Sequence, residues 1–153
     1  MSQLNLLKTL VVSTNGIIPS ATPQIYFDGT NAIAANTFSV PILVEKHDRL
    51  GLQVSAPVTG APNGSVALQG SNDESQTRDP NAYPDVNLVN WSTVSFFDEL
   101  TFANVITKVF NSAQSYLFTV PNCSYRWMRM VWTNTSGSAL LTARVQVKSL
   151  GGR

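Results

Sequence analysis

The pattern of apolar and polar positions is clearest near the end of the chain. From residue 139 to 148 the odd positions read Ala139, Leu141, Ala143, Val145 and Val147, and the even ones from 142 read Thr142, Arg144, Gln146 and Lys148. A period of two puts one face in a core and the other in water, which predicts a half-buried β-strand. Residues 125–133 are apolar on both faces, with Tyr125, Trp127 and Val131 on one side and Met128, Met130 and Trp132 on the other. Between the two segments lies Asn134-Thr135-Ser136-Gly137-Ser138, which is turn chemistry. The expectation is a hairpin whose first strand is the more central. Because Trp127 and Trp132 fall on opposite faces, at most one of them faces a sandwich core. The other is expected under a loop or against a partner.

The same periodicity recurs upstream. Tyr116, Phe118 and Val120 alternate and stop at Pro121. Residues 91–97 (WSTVSFF) and 104–110 (NVITKVF) each read as one strand. Leu50, Leu52 and Val54 alternate, as do Val66 and Leu68, and the Pro/Gly-rich stretch 55–64 between them reads as a hairpin loop. Phe38, Val40, Ile42 and Val44 form another apolar set, and Pro41 makes that segment an edge strand or a bulge. Nothing repeats every 3.6 residues. The fold class expected is all-β, an antiparallel β-sandwich or jelly roll of about eight or nine strands. It is one globular domain, with residues 1–37 as an N-terminal strand and extended arm and residues 38–153 as the sandwich.

The arm carries apolar islands, Leu6, Leu10, Val12, Ile17, Ile18, Ile25, Tyr26 and Phe27, interrupted by Gly16, Pro19, Pro23 and Gly29. Islands so short cannot make a core of their own. Together with Trp132 they form the candidate interface, laid on a neighbouring surface or sheet edge. The competing expectation is that residues 6–13 are simply the first strand of the chain's own sheet.

Composition narrows the function classes. Hydrophobic residues make up 43% of the chain, enough for a core. Charged residues are 12%, about half the usual share of roughly 25%. A net charge of +1 gives no drive toward nucleic acid, and Arg126 and Arg129 read as solvated strand residues. The single cysteine, Cys123, excludes an intramolecular disulfide and fits folding in a reducing compartment. The first residues lack a secretory pattern, and no apolar run approaches the length of a membrane helix.

Candidate chemistry is sparse. His47, the one histidine, sits in the charged turn Glu45-Lys46-His47-Asp48-Arg49 with no nucleophile motif around it. Asp73, Glu74, Asp79 and Asp85 share a polar insert, but their spacing does not match a calcium loop and Arg78 lies among them. Asp98 and Glu99 follow Phe96-Phe97 and read as the water-facing end of a strand rather than a glycosidase pair. Trp91, Trp127 and Trp132 could stack on a sugar, yet aromatics in strands belong to cores. The expectation is no enzyme, no catalytic residue, no cofactor and no metal.

One set of short motifs goes further. Leu50-Gly51-Leu52-Gln53-Val54 is followed by a Pro/Gly loop and by Gly64-Ser65-Val66-Ala67-Leu68-Gln69-Gly70-Ser71-Asn72-Asp73. Asn90-Trp91 comes next. Then come Tyr116-Leu117-Phe118, Tyr125-Arg126-Trp127-Met128-Arg129-Met130-Val131-Trp132, and the turn from Thr133 to Gly137. The order resembles the small β-sandwich structural proteins of tailed bacteriophages, of the capsid decoration or cement kind. It departs from them in the insert 74–89, and residues 1–49 are not covered. Weaker similarity links it to discoidin-like, galactose-binding jelly rolls, although no sugar-gripping residue can be matched. The resemblance implies a virion component assembled in the bacterial cytoplasm. Its implied partners are the major capsid or another virion protein and further copies of itself, with no nucleic acid and no membrane. A carbohydrate-binding module, or a tail or head-fibre accessory contacting host glycans, is the alternative.

Overall fold

The computed structural model describes residues 6–9, 24–25, 28–39, 41–44, 48–56, 62–72, 90–121 and 123–148. Strands β1 (Leu6–Thr9), β2 (Gln24–Ile25), β3 (Asp28–Ile33), β4 (Thr37–Ser39), β5 (Ile42–Leu43), β6 (Arg49–Ala56) and β7 (Asn63–Ser71) come first. They are followed by β8 (Ser92–Val94), β9 (Phe96–Asp98), β10 (Ala103–Val105), β11 (Thr107–Phe110), β12 (Gln114–Pro121), β13 (Trp127–Ser136) and β14 (Ala139–Lys148). The described residues hold no helix. One sheet runs β1-β14-β6-β12-β9-β10, with β3 also on β14; the other runs β11-β7-β13-β4-β2, with β8 also on β7 and β5 on β13. All pairings are antiparallel except β2 with β4. The expected all-β sandwich is what the chain forms.

Period-two patterning places the core between the sheets. Leu50, Leu52 and Val54 of β6 and Leu141, Ala143 and Val145 of β14 point inward from one sheet. Val66 and Leu68 of β7 and Met128, Met130 and Trp132 of β13 point inward from the other. Two glycines on the inner face of β7 make room for aromatics. A Cβ on Gly64 would lie 2.5 Å from the Trp132 ring, and one on Gly70 would lie 2.5 Å from the Tyr125 ring.

Four sequence expectations are corrected. β13 and β14 are not a hairpin: the turn carries the chain from one sheet to the other, and each strand is interior to its own sheet. Gly137 turns at φ 68°, a left-handed conformation suited to glycine. Asn134 pins the crossing, donating from Nδ2 to the carbonyls of Ala34 and Gly137 while its Oδ1 accepts from Trp132 Nε1. β6 and β7 likewise lie in opposite sheets, so the stretch 55–64 is a crossover rather than a hairpin loop. Residues 91–97 and 104–110 each split in two. β8 and β11 pair with β7, while β9 and β10 pair with each other in the opposite sheet. Such breaks raise the number of strands above the eight or nine expected. Finally, Phe38 does not face the core. Thr37 and Ser39 do, and the Ser39 hydroxyl accepts from the Met130 N–H at 2.7 Å.

The described part of residues 1–37 is tied into the sandwich. β1 pairs with β14 over Leu6↔Val147 to Thr9↔Arg144, and β3 pairs with the same strand nearer its start. β3 (DGTNAI) forms a strand within the stretch expected as an extended arm, although it has no apolar run to signal one.

Candidate interaction surface

The segment from β8 to β11 wraps one side of the sandwich, because its chain changes sheets at Ser95 and again at Ile106. Its tip is the turn Glu99-Leu100-Thr101-Phe102. Asp98 organises this turn. Its carboxylate accepts from the Leu100 N–H at 3.0 Å, from the Thr101 hydroxyl at 2.9 Å and from the Lys108 ammonium. Asp98 is 1% exposed, so it does not end the strand in water as expected. Burial alone would raise its pKa. The hydrogen bonds from Lys108, Leu100 and Thr101, with the charge of Lys108, outweigh that and hold it below its ordinary value. Lys108 lies over the Tyr116 ring at 4.3 Å, so its charge is folded inward from both sides.

The tip itself is apolar and open. Leu100 is 68% exposed and Phe102 77%. Phe102 adopts φ 53°, a left-handed conformation that is costly for a bulky side chain and is held here by the Asp98 hydrogen bonds and by the Phe102 N–H donating to the Asp98 carbonyl. The Phe97 ring lies edge-to-face with Phe102 at 6.4 Å, and Leu117 is exposed on the same outer face. Glu99 donates its N–H to the Leu117 carbonyl and accepts from the Thr119 hydroxyl, so the turn is docked on β12. Further along, Ile106 and Val109 are also largely exposed. Exposed apolar side chains gathered on a rigid, strained support mark a contact surface.

The outer face of the second sheet is built differently. The Arg129 guanidinium sits between two rings, 3.8 Å from the centre of Phe38 and 4.2 Å from that of Trp91, with Nε donating to Gln69 at 2.8 Å. It is buried rather than solvated, and desolvation lowers its pKa to about 10, still charged at neutral pH. Trp127 shares this face and is nonetheless buried within the single chain. Trp132 is the tryptophan in the core, fully enclosed between the sheets and edge-to-face with Phe110, so it is not available to a partner. Trp91 gives a ring face to Arg129.

No protein-family model matches the sequence, and no curated protein matches it either. Its fold is shared. The crystal structure of the SPBc2 prophage-derived protein YomS superposes with a TM-score of 0.60 over 97% of this chain and 96% of that one, at 9% sequence identity.

Of the sequence-predicted interface, Leu6 lies in β1 and Ile25 in β2, both paired within the chain. Leu10, Val12, Ile17, Ile18, Tyr26 and Phe27 lie outside the described residues, as do His47, Asp73, Glu74, Asp79 and Asp85. Among the described residues no three His, Cys, Asp or Glu side chains gather as metal ligands. Cys123 is buried against the Met128 sulfur, and burial pushes its thiol pKa up. The tip at Leu100 and Phe102 was missed by sequence reasoning. Its signal was two large apolar residues flanking Thr101 directly after an acidic pair, in a stretch with no period of two.

Proposed function

We propose that this chain is a non-enzymatic structural component of a tailed-phage virion, most specifically a capsid decoration protein that binds the head lattice. The observation that carries the reading is the end-to-end sharing of its fold with a prophage-derived protein. The sequence motifs that resemble phage sandwich proteins support it independently, as does a surface whose most distinctive feature is exposed apolar contact area. A lattice-binding protein needs a rigid body that presents such area at fixed geometry, and the Asp98-braced tip provides one. The test is to add purified protein to phage heads that lack it and, in parallel, to a glycan array. Saturable binding to heads that fails in Phe102→Asp, with no glycan binding, is the expected result. Glycan binding without head binding would reject the reading in favour of a carbohydrate-binding module.

A further inference from the structure

The outer face of the first sheet holds a glycine that the fold itself does not require. Gly64 and Gly70 make way for rings, and Gly29 turns at φ 81°. Gly51 does neither. It lies mid-strand in β6, between Thr119 of β12 and Gln146 of β14. Among the described residues, a Cβ placed on it would meet only the Gln146 carbonyl, at an ordinary 3.9 Å. Glycine weakens a strand interior, and where internal packing does not call for it, it marks a close approach by another molecule. The face around it is polar and positive. Leu117, Gln53 and Arg144 form one row across β12, β6 and β14, about 10 Å long at strand spacing, and all are exposed. On the far side of Gly51, register sets Lys148 directly across from the exposed Arg49. Like charges at directly paired positions disfavour a sheet, and an acidic group laid over them relieves that. Among the described residues neither Arg49 nor Arg144 has a salt-bridge partner. The acids nearby are Glu99, which accepts from Thr119, and Asp48 at the bend before β6. On the outer face of the second sheet the cation, Arg129, is instead buried between rings.

We propose that this face docks on an acidic protein surface, which closes on the bare backbone at Gly51 while Arg49 and Arg144 meet its carboxylates. The inference deepens the head-binding reading and rests on it: Leu117 joins this face to the tip, so the partner is the lattice protein. Charge complementarity selects an acidic occupant, because the exposed ionisable side chains of the face's strands are these two arginines. A protein fits better than nucleic acid. The positive positions are few and separated by uncharged Gln53 and Gly51, the net charge of the chain is only +1, and phosphate backbones are held by many cations. Gly51 gives the contact its shape and the arginines give it its sign.

The experiment is biolayer interferometry of the full-length chain on immobilised phage heads that lack it, with melting temperatures measured alongside. Gly51→Val sets a side chain on the face, and a β-branched residue suits a strand. Its melting temperature should hold or rise while head affinity falls at least about tenfold. Gly51→Ala should lose less, in the same direction. The double variant Arg49→Gln/Arg144→Gln should associate about tenfold more slowly and dissociate within about twofold of wild type. Raising NaCl from about 50 to 500 mM should abolish that difference. Thr93→Val, on the outer face of the second sheet, should bind as wild type does. A wild type that binds no heads overturns the head-binding reading and this inference with it. Heads bound equally well by wild type and by folded Gly51→Val, or at an unchanged association rate by the arginine variant, overturn this inference alone. So does binding to duplex DNA that the arginine variant loses, which would give the face to nucleic acid.

Discussion

Replacing Asp98 by asparagine should be one of the most costly single-atom changes in the chain. The carboxylate is 1% exposed and accepts three hydrogen bonds, one from an ammonium whose own side chain is 15% exposed. Asparagine can still accept from the Leu100 N–H, but it leaves the Lys108 charge facing a neutral group. Breaking a buried pair costs about 3–5 kcal/mol, and the small opening of Lys108 to water places this case near 3 kcal/mol. For a domain of this size that is a fall in Tm of about 6–12 °C. The penalty is pH-dependent with a definite sign. The folded carboxyl has a pKa below its ordinary 3.8, so its stabilisation is fully present above that value. It is lost as pH falls through the lower folded value. Urea denaturation of wild type and Asp98→Asn from pH 7 downward should therefore show a gap that is constant to about pH 4 and closes below it. The double variant Asp98→Asn/Lys108→Met should recover much of the loss, because it removes the stranded charge. A single-variant loss under about 0.5 kcal/mol at pH 7 would refute the buried pair and with it the brace under Phe102.

Other positions test the packing and the surface. Gly64→Ala and Gly70→Ala push a methyl into the Trp132 and Tyr125 rings, and each should cost about 1–3 kcal/mol in chemical denaturation. Arg129→Met keeps the stacking volume between Phe38 and Trp91 and removes a desolvated charge, so its stability should change by less than about 1.5 kcal/mol, whereas Arg129→Ala should lose about 2–4 kcal/mol. Phe102→Gly relieves a left-handed backbone and removes an exposed ring. The melting temperature should hold or rise while head binding falls.

The strand faces were legible in the sequence, and the strand partners were not. A period of two states which side chains share a face, and residues 139–145 and 50–54 point inward as their alternation requires. It carries no information on which sheet the next strand joins. The turn at 134–138 looks like a hairpin turn and is a crossover, because Asn134 bonds to the carbonyl of Ala34, a hundred residues away in sequence. Asp98 was read as a water-facing strand end since carboxylates usually are. Its burial depends on Lys108 reaching it from β11 of the opposite sheet, a contact set by the fold. Arg129 was misplaced for the same reason: its shelter is made by Phe38 and Trp91 from distant strands. Phe38 shares its parity with Ile42 and Val44 in the sequence, yet it faces outward onto Arg129 while Val44 is buried, so the alternation does not run unbroken from β4 to β5.

Quantitative mass spectrometry of purified phage particles tests the central claim most directly. The account predicts that this chain is present at a fixed, high copy number in proportion to the major capsid protein. Particles assembled to full infectivity that contain none of it would contradict the account.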